Sequence, residues 1–194
     1  MSKAISRPSV TLALIQALET AEKKYSEWTG GITMRAAPES LVQTIVAEHV
    51  ASLNSRILLE ASVVSIILDS GEELPEELPR NKRGRIDIAI YYKSRIPRFV
   101  VEIKKLSNKQ SLNEDHDRIV KLMQICPKIQ NGLMLGYATS DEPEKLLELI
   151  KSVSASTNTP IVRTLKPIPV IGRNGLPRFL AGAVYRVGRM DHAT

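Results

Sequence analysis

A single cysteine, Cys126, stands in the whole chain, so no internal disulfide can form and the composition suits a reducing cytosol. Aromatic residues make up only 4% of the sequence, too few for a platform on which successive bases stack. Long apolar runs are missing as well. Near the start, Leu12 to Leu18 is broken by Gln16, which predicts neither a signal peptide nor a membrane span. Low-complexity blocks and internal repeats are absent. These exclusions predict a cytoplasmic setting with no membrane partner. The 194 residues are expected to form a single domain with a real core. Charge is not balanced: 27 Lys and Arg stand against 21 Asp and Glu, a net charge of +6. This moderate excess suits a polyanion such as nucleic acid, although many soluble proteins share it.

What is present centres on one stretch. Arg85-Ile-Asp-Ile-Ala-Ile-Tyr-Tyr and Pro97-Arg-Phe-Val-Val-Glu-Ile-Lys-Lys are both rich in Ile, Val, Tyr and Phe and read as strands. The break at Lys93 to Ile96 is short enough for a hairpin. By strand alternation Ile86, Ile88 and Ile90 share one face, and Asp87 and Ala89 the other. Phe99, Val101 and Ile103 likewise oppose Val100, Glu102 and Lys104. If the hairpin is symmetric about Ser94 and Arg95, Asp87 lies opposite Glu102, with Lys104 one step along the same face. Opposed carboxylates in an apolar strand pair are costly unless a cation lies between them. A hard divalent ion such as Mg²⁺ is the simplest answer, since it takes one or two carboxylates and completes its shell with water and phosphate. The plain alternative is an amphipathic hairpin with these charges on a wet face. Val100 and Ala89 on the same face argue against it.

Asp87, a hairpin and Glu102-x-Lys104 resemble the core of the PD-(D/E)XK nuclease superfamily. Ile86 stands where the family's name has proline. The resemblance covers roughly Pro38 to Tyr137 and implies an α/β fold: a mixed central sheet flanked by helices, with an αβββαβ core. An extra N-terminal helix would precede it and a C-terminal extension, 141–194, would follow. It implies a magnesium-dependent deoxyribonuclease, in which Mg²⁺ or Mn²⁺ is held by Asp87, Glu102 and the backbone of Ile103, and Lys104 acts on the attacking water. Superfamily members often carry a glutamate on the first core helix, and Glu39 resembles it. On its own Glu39 reads equally well as a helix-dipole partner. Glu48 competes with it but lies off the apolar stripe. The implied partner is nucleic acid, DNA ahead of RNA. A homodimer is one way to cut both strands of a duplex. A catalytically inactive nuclease-like binding module is the alternative.

The rest of the chain is read as follows. Pro8 to Trp28 is a helix with Leu12, Ile15 and Leu18 at helical spacing. A second helix starts at Pro38 and faces inward through Val42, Val46, Val50 and Leu53. Arg56 to Asp69 reads as one long strand, with Glu60 within it as a bulged, exposed or further site carboxylate. Ser70 to Gly84 is a loop, acidic then basic. Its basic half, including Arg83 and Arg85, either is solvated or meets phosphates near Asp87. Ser111-x-x-Glu114 predicts the start of a helix running to Cys126, with Leu112, His116, Ile119 or Val120, and Met123 inward. On that helix Arg118, Lys121 and Gln124 either reach phosphate, support the site or are simply solvated. Gly132 to Tyr137 reads as a buried strand, and Asp141-x-x-Glu144 as the cap of another helix. Ile161 to Ile171 and Phe179 to Val187 are strands, the first placed at an edge by Pro167 and Pro169.

Overall fold

Two residues ahead of the first long helix already fix its start. Ser6 Oγ accepts from the Ser9 amide and Ser9 Oγ from the Ser6 amide, at 3.3 and 3.1 Å, a reciprocal cap. In the computed structural model helix α1 then runs Arg7–Thr29 and stops at Gly30, whose φ of 68° is left-handed. The structure describes residues 5–53, 55–76, 84–92, 95–106, 109–172 and 175–188, and only the backbone of 109–111. The inner face of α1 is Val10, Leu14, Ala17, Leu18 and Ala21. Leu12 is exposed, one position off the expected stripe. After a single 3₁₀ turn, Met34–Ala36, helix α2 spans Glu39–Ala51, with Pro38 just outside it. Val42, Val46 and Val50 are fully buried as expected, whereas Glu39 at the head of the stripe is exposed.

The expected long strand is two elements. Strand β1 covers Arg56–Ser62 and helix α3 Val63–Asp69. Val63, Ile66 and Ile67 are buried at i, i+3 and i+4, a helical spacing that the continuous apolar run conceals. Strands β2, Arg85–Tyr91, and β3, Pro97–Lys105, follow as an antiparallel pair. Helix α4, Lys109–Ile125, crosses over to β4, Asn131–Ser140, which runs parallel to β3. Helix α4 starts ahead of the predicted Ser111 cap. Helix α5, Pro143–Thr157, has Glu142 at its N-cap with no side-chain capping bond, so the predicted Asp141 cap is not made. Instead Ser140 Oγ donates to Asp141. Strands β5, Ile161–Ile171, and β6, Pro177–Val187, complete one six-stranded mixed sheet in the order β1-β2-β3-β4-β6-β5. β5 is indeed an edge, and its register slips between Leu165 and Ile168, around Pro167.

Apolar layers cover both sides of this sheet. Helices α1 and α2 pack on Ile88, Ile90, Phe99, Val101, Ile103, Leu133, Leu135 and Val184. Helices α3, α4 and α5 pack on Ala89, Tyr91, Val100, Met134, Ala183 and Tyr185. Two glycines permit the closest approaches. A Cβ at Gly132 would meet Ile119 at 2.3 Å, and one at Gly182 would meet Leu18 at 2.4 Å, so each face has one helix seated where the sheet has no side chain. Among the described residues no helix is long and apolar enough to cross a membrane.

Candidate active site

The site is made by a fork between strands. β2 and β3 pair Ile90 with Phe99, Ala89 with Val100 and Ile88 with Val101. One further step in that register would oppose Asp87 to Glu102, as the symmetric hairpin predicts. The ladder stops one pair short. Asp87 Oδ2 instead accepts from the backbone amide of Ile103 at 2.6 Å, so a side chain closes the fork where a carbonyl would have continued it. On the other flank β2 pairs with β1 through Ile88–Leu59 and Ile86–Ala61. Between those pairs Glu60 takes a left-handed φ of 50°.

This dislocation inverts the alternation. Ile86 packs with the α3–α4 layer, although Ile88 and Ile90 pack with α1–α2. The expectation that all three isoleucines share a face therefore fails at Ile86. Strand alternation requires an unbroken pleat, and the pleat breaks at residue 87. Asp87 and Glu60 consequently reach Gln43 on α2. Its Nε2 donates to Asp87 Oδ1 at 2.7 Å and to Glu60 Oε1 at 3.0 Å.

Glu102 points to the α4 side and is only 3% exposed. Arg118 Nη1 donates to its Oε1 at 2.7 Å, and Arg118 Nη2 donates to Asp115 Oδ1 at 3.0 Å. Arg118 also reaches the carbonyl of Arg85 at 3.2 Å. Lys104, two residues beyond Glu102 on β3, pairs with Asp115 Oδ2 at 3.3 Å. Lys105 leaves in another direction and donates to the carbonyl of Arg35, as alternation demands. Glu39 stands close enough to feel the charges of Lys104, Asp87 and Asp115, and it accepts from the backbone of Lys105.

Electrostatics follow from this crowding. Burial raises the Asp87 carboxyl, against the lowering effect of the Ile103 amide. Burial, and next the charge of Asp87, push Glu102 up to about 9 despite Arg118. The two acids are coupled: the charge of Asp87 disfavours ionisation of Glu102, and the hydrogen bond between them favours the charged form of Asp87. Burial also raises Glu39. For Lys104, burial alone would favour the neutral amine, but Asp115, Glu39 and Asp87 outweigh it and hold the group above the ordinary lysine value. Lys104 is therefore an ammonium at neutral pH.

Two coupled, buried carboxylates mark a place where a cation would be favoured. Among the described residues no three His, Cys, Asp or Glu side chains form an ion-holding group. The Asp87–Glu102 pair remains, and two carboxylates are as many as Mg²⁺ ordinarily takes. The donor set thus fits a hard divalent ion.

Of the residues expected at the site, Asp87, Glu102, Lys104 and Glu39 come together. Ile103, whose backbone carbonyl is the expected ion ligand, is seen to donate its amide to Asp87. Of the alternatives for Arg118, the structure shows it turned inward onto the acids, in a supporting position. Arg85 and Lys121 are exposed, and Arg83 lies outside the described residues. Glu48 pairs with Lys24 at 2.9 Å, away from the site. His116 is held by Asp117 at 3.2 Å and takes no part. Two members were missed. Asp115 is 5% exposed and occupies the inward position that the sequence reading gave to His116, one residue along. A charged residue three after Leu112 and four before Ile119 was the available signal. Gln43 carries no such mark, because a polar residue beside Val42 reads as surface. No family model, curated protein or solved structure matches this chain.

Proposed function

We propose that this protein is a PD-(D/E)XK-type nuclease that hydrolyses phosphodiester bonds in DNA with Mg²⁺ or Mn²⁺. The carrying observation is the meeting of Asp87 and Glu102 at the β2–β3 fork, with the Lys104 ammonium two residues further along β3. The succession α2, β1, β2, β3, α4, β4 agrees with the implied core, with α3 inserted. Preference for DNA over RNA rests on the superfamily resemblance alone.

Asp87 and Glu102 would hold the divalent ion, and Glu39 stands where it can bond an ion-bound water. Bound there, the ion supplies polarisation of the phosphate and a lower pKa for a coordinated water. A divalent ion held there would favour the charged form of Glu102 that burial and Asp87 disfavour. Gln43 and the Ile103 amide fix the Asp87 carboxylate in one orientation, so little reorganisation is needed on binding. Lys104, already protonated, orients the attacking water and offsets charge that develops on the phosphate oxygens. Its charge state favours this electrostatic role over that of a base. Arg118 and Asp115 hold Glu102 and Lys104 at their spacing.

The test is a cleavage screen over duplex, branched and single-stranded DNA and RNA, with Mg²⁺, Mn²⁺ and chelator. Lys104→Ala and Asp87→Ala should abolish divalent-dependent cutting, while Lys105→Ala keeps Lys104 and its chemistry. Equal cutting by wild type and Lys104→Ala would remove Lys104 from the mechanism. A second reading, a non-catalytic nuclease-like binding module, is favoured by one observation: Arg118 already occupies an oxygen of Glu102. Calorimetric titration separates the two, since an inert module binds no divalent ion that depends on Asp87.

A further inference from the structure

Beyond the carboxylates, at the C-terminal ends of the parallel strands β3 and β4, lies a cleft of about 180 Å³. In open α/β sheets this end of the strands is where ligands bind. Arg35, Lys105 and Arg178 line it, together with Leu106, Ala138 and Thr139. Three of its six walls are cationic and none is acidic. Among the described residues none of the three cations forms an ion pair. The acid that senses Arg178 most directly is Asp141, and its carboxyl is lowered chiefly by its own backbone and Ser140, with Arg178 a lesser cause.

Two buried polar atoms in these walls, Arg178 Nε and Thr139 Oγ1, have no hydrogen-bond partner among the described residues. Buried donors are nearly always paired, because leaving one unmade costs its full desolvation. Arg178 from β6, Thr139 from β4 and Lys105 from β3 are donors of the kind that the oxygens of a tetrahedral anion accept. Lys105 spends one hydrogen on the Arg35 carbonyl and keeps two.

Resting on the nuclease reading, we propose that this cleft binds a backbone phosphate of the substrate strand a nucleotide or two beyond the one being cut. Lys104 and Lys105 are consecutive on β3 and diverge, one to the acids and one to the cleft. Thr139 is one strand away on β4 and Arg178 two away on β6. Lys104 pairs with Gly136, and Thr139 lies three residues further along β4, so at roughly 3.3 Å per residue and 4.8 Å between strands the anion sits about 10–15 Å from the Lys104 position, too far to be the scissile phosphate. Arg178 lies outside the stretch that resembles the superfamily core, so the C-terminal strands contribute to the substrate track.

The experiment measures binding of a short fluorescent DNA, duplex and single-stranded, by anisotropy in chelator over a range of salt. Arg178→Gln should weaken binding about tenfold whatever the DNA sequence and lower the salt slope by about 1. Thr139→Val should weaken binding several-fold while leaving resistance to urea equal or higher, because it removes an unpaired buried hydroxyl. A purely structural Thr139 would not separate those two readouts. Arg178→Lys keeps the charge without the fork and should fall between wild type and Arg178→Gln. Should Arg178→Gln not fold, the Thr139→Val pair of measurements decides. If wild type cuts DNA but Thr139→Val and the folded Arg178 variants bind with unchanged affinity and salt slope, the cleft assignment alone is wrong. If wild type neither binds nor cuts, the nuclease reading falls and takes the cleft with it.

Discussion

Glu102 carries the largest electrostatic tension in the site. Its carboxyl is buried, faces Asp87, and is raised to about 9 from an ordinary 4.5. Between those values the folded protein binds a proton that the unfolded chain has released, so stability must fall as pH rises through that window. In chelator, the melting temperature of wild type should drop from pH 6 to pH 9, and Glu102→Gln should flatten the profile. A wild-type profile as flat as that of Glu102→Gln would show that the proton is not held. Arg118 is the counterpart. Removing it leaves Glu102 and Asp115 without their donor, and Arg118→Ala should cost roughly 2 kcal/mol in urea unfolding. At this scale legibility was uneven. Asp87, Glu102 and Lys104 announced themselves as charges inside apolar strands. Arg118 was legible only as one of several alternatives and Asp115 not at all, because which side of α4 faces the acids depends on a one-residue phase that the apolar stripe leaves ambiguous.

Among the elements, the β2–β3 register was readable from Ile88 to Ile90, but it slips at Tyr91, which pairs with Pro97, and the ladder ends before Asp87. The β1–α3 break was not readable. A run such as Ile57 to Leu68 satisfies both periods, and only the sheet's end, reached at Ser62, decides between them. The break also sets Glu60 in the left-handed region, which costs a non-glycine residue roughly 1–2 kcal/mol. Glu60→Gly should therefore unfold at equal or higher urea than wild type, despite losing the contact with Gln43. Glu60→Val, which adds branching to the same backbone, should lose at least about 1 kcal/mol. If both variants destabilise equally, the backbone at residue 60 is not the governing factor, and the Gln43 contact is.

For the molecule as a whole, the sheet is filled from both sides, and its outer strands belong to the same core as its centre. Leu18 of α1 sits over Gly182 of β6, with the Gly136 carbonyl 3.0 Å from where a Cβ would stand. Gly182→Ala should cost about 1–3 kcal/mol by overpacking, read from denaturant midpoints. No loss would mean that α1 rides loosely on the sheet. The amino-acid sequence by itself determined the strand character of β2 and β3, the helical stripe of α2, the hairpin register from Ile88 to Ile90 and the edge placement of β5. Each follows from local periodicity or from proline's missing donor. The tertiary structure alone decided that the pleat breaks at Asp87, that Gln43 and Asp115 join the acids, and that β6 brings Arg178 beside β3. These depend on residues far apart in the chain, such as Lys104 with Asp115, Gln43 with Glu60, and Lys105 and Arg178 on one cleft, and no local pattern encodes which distant side chain arrives.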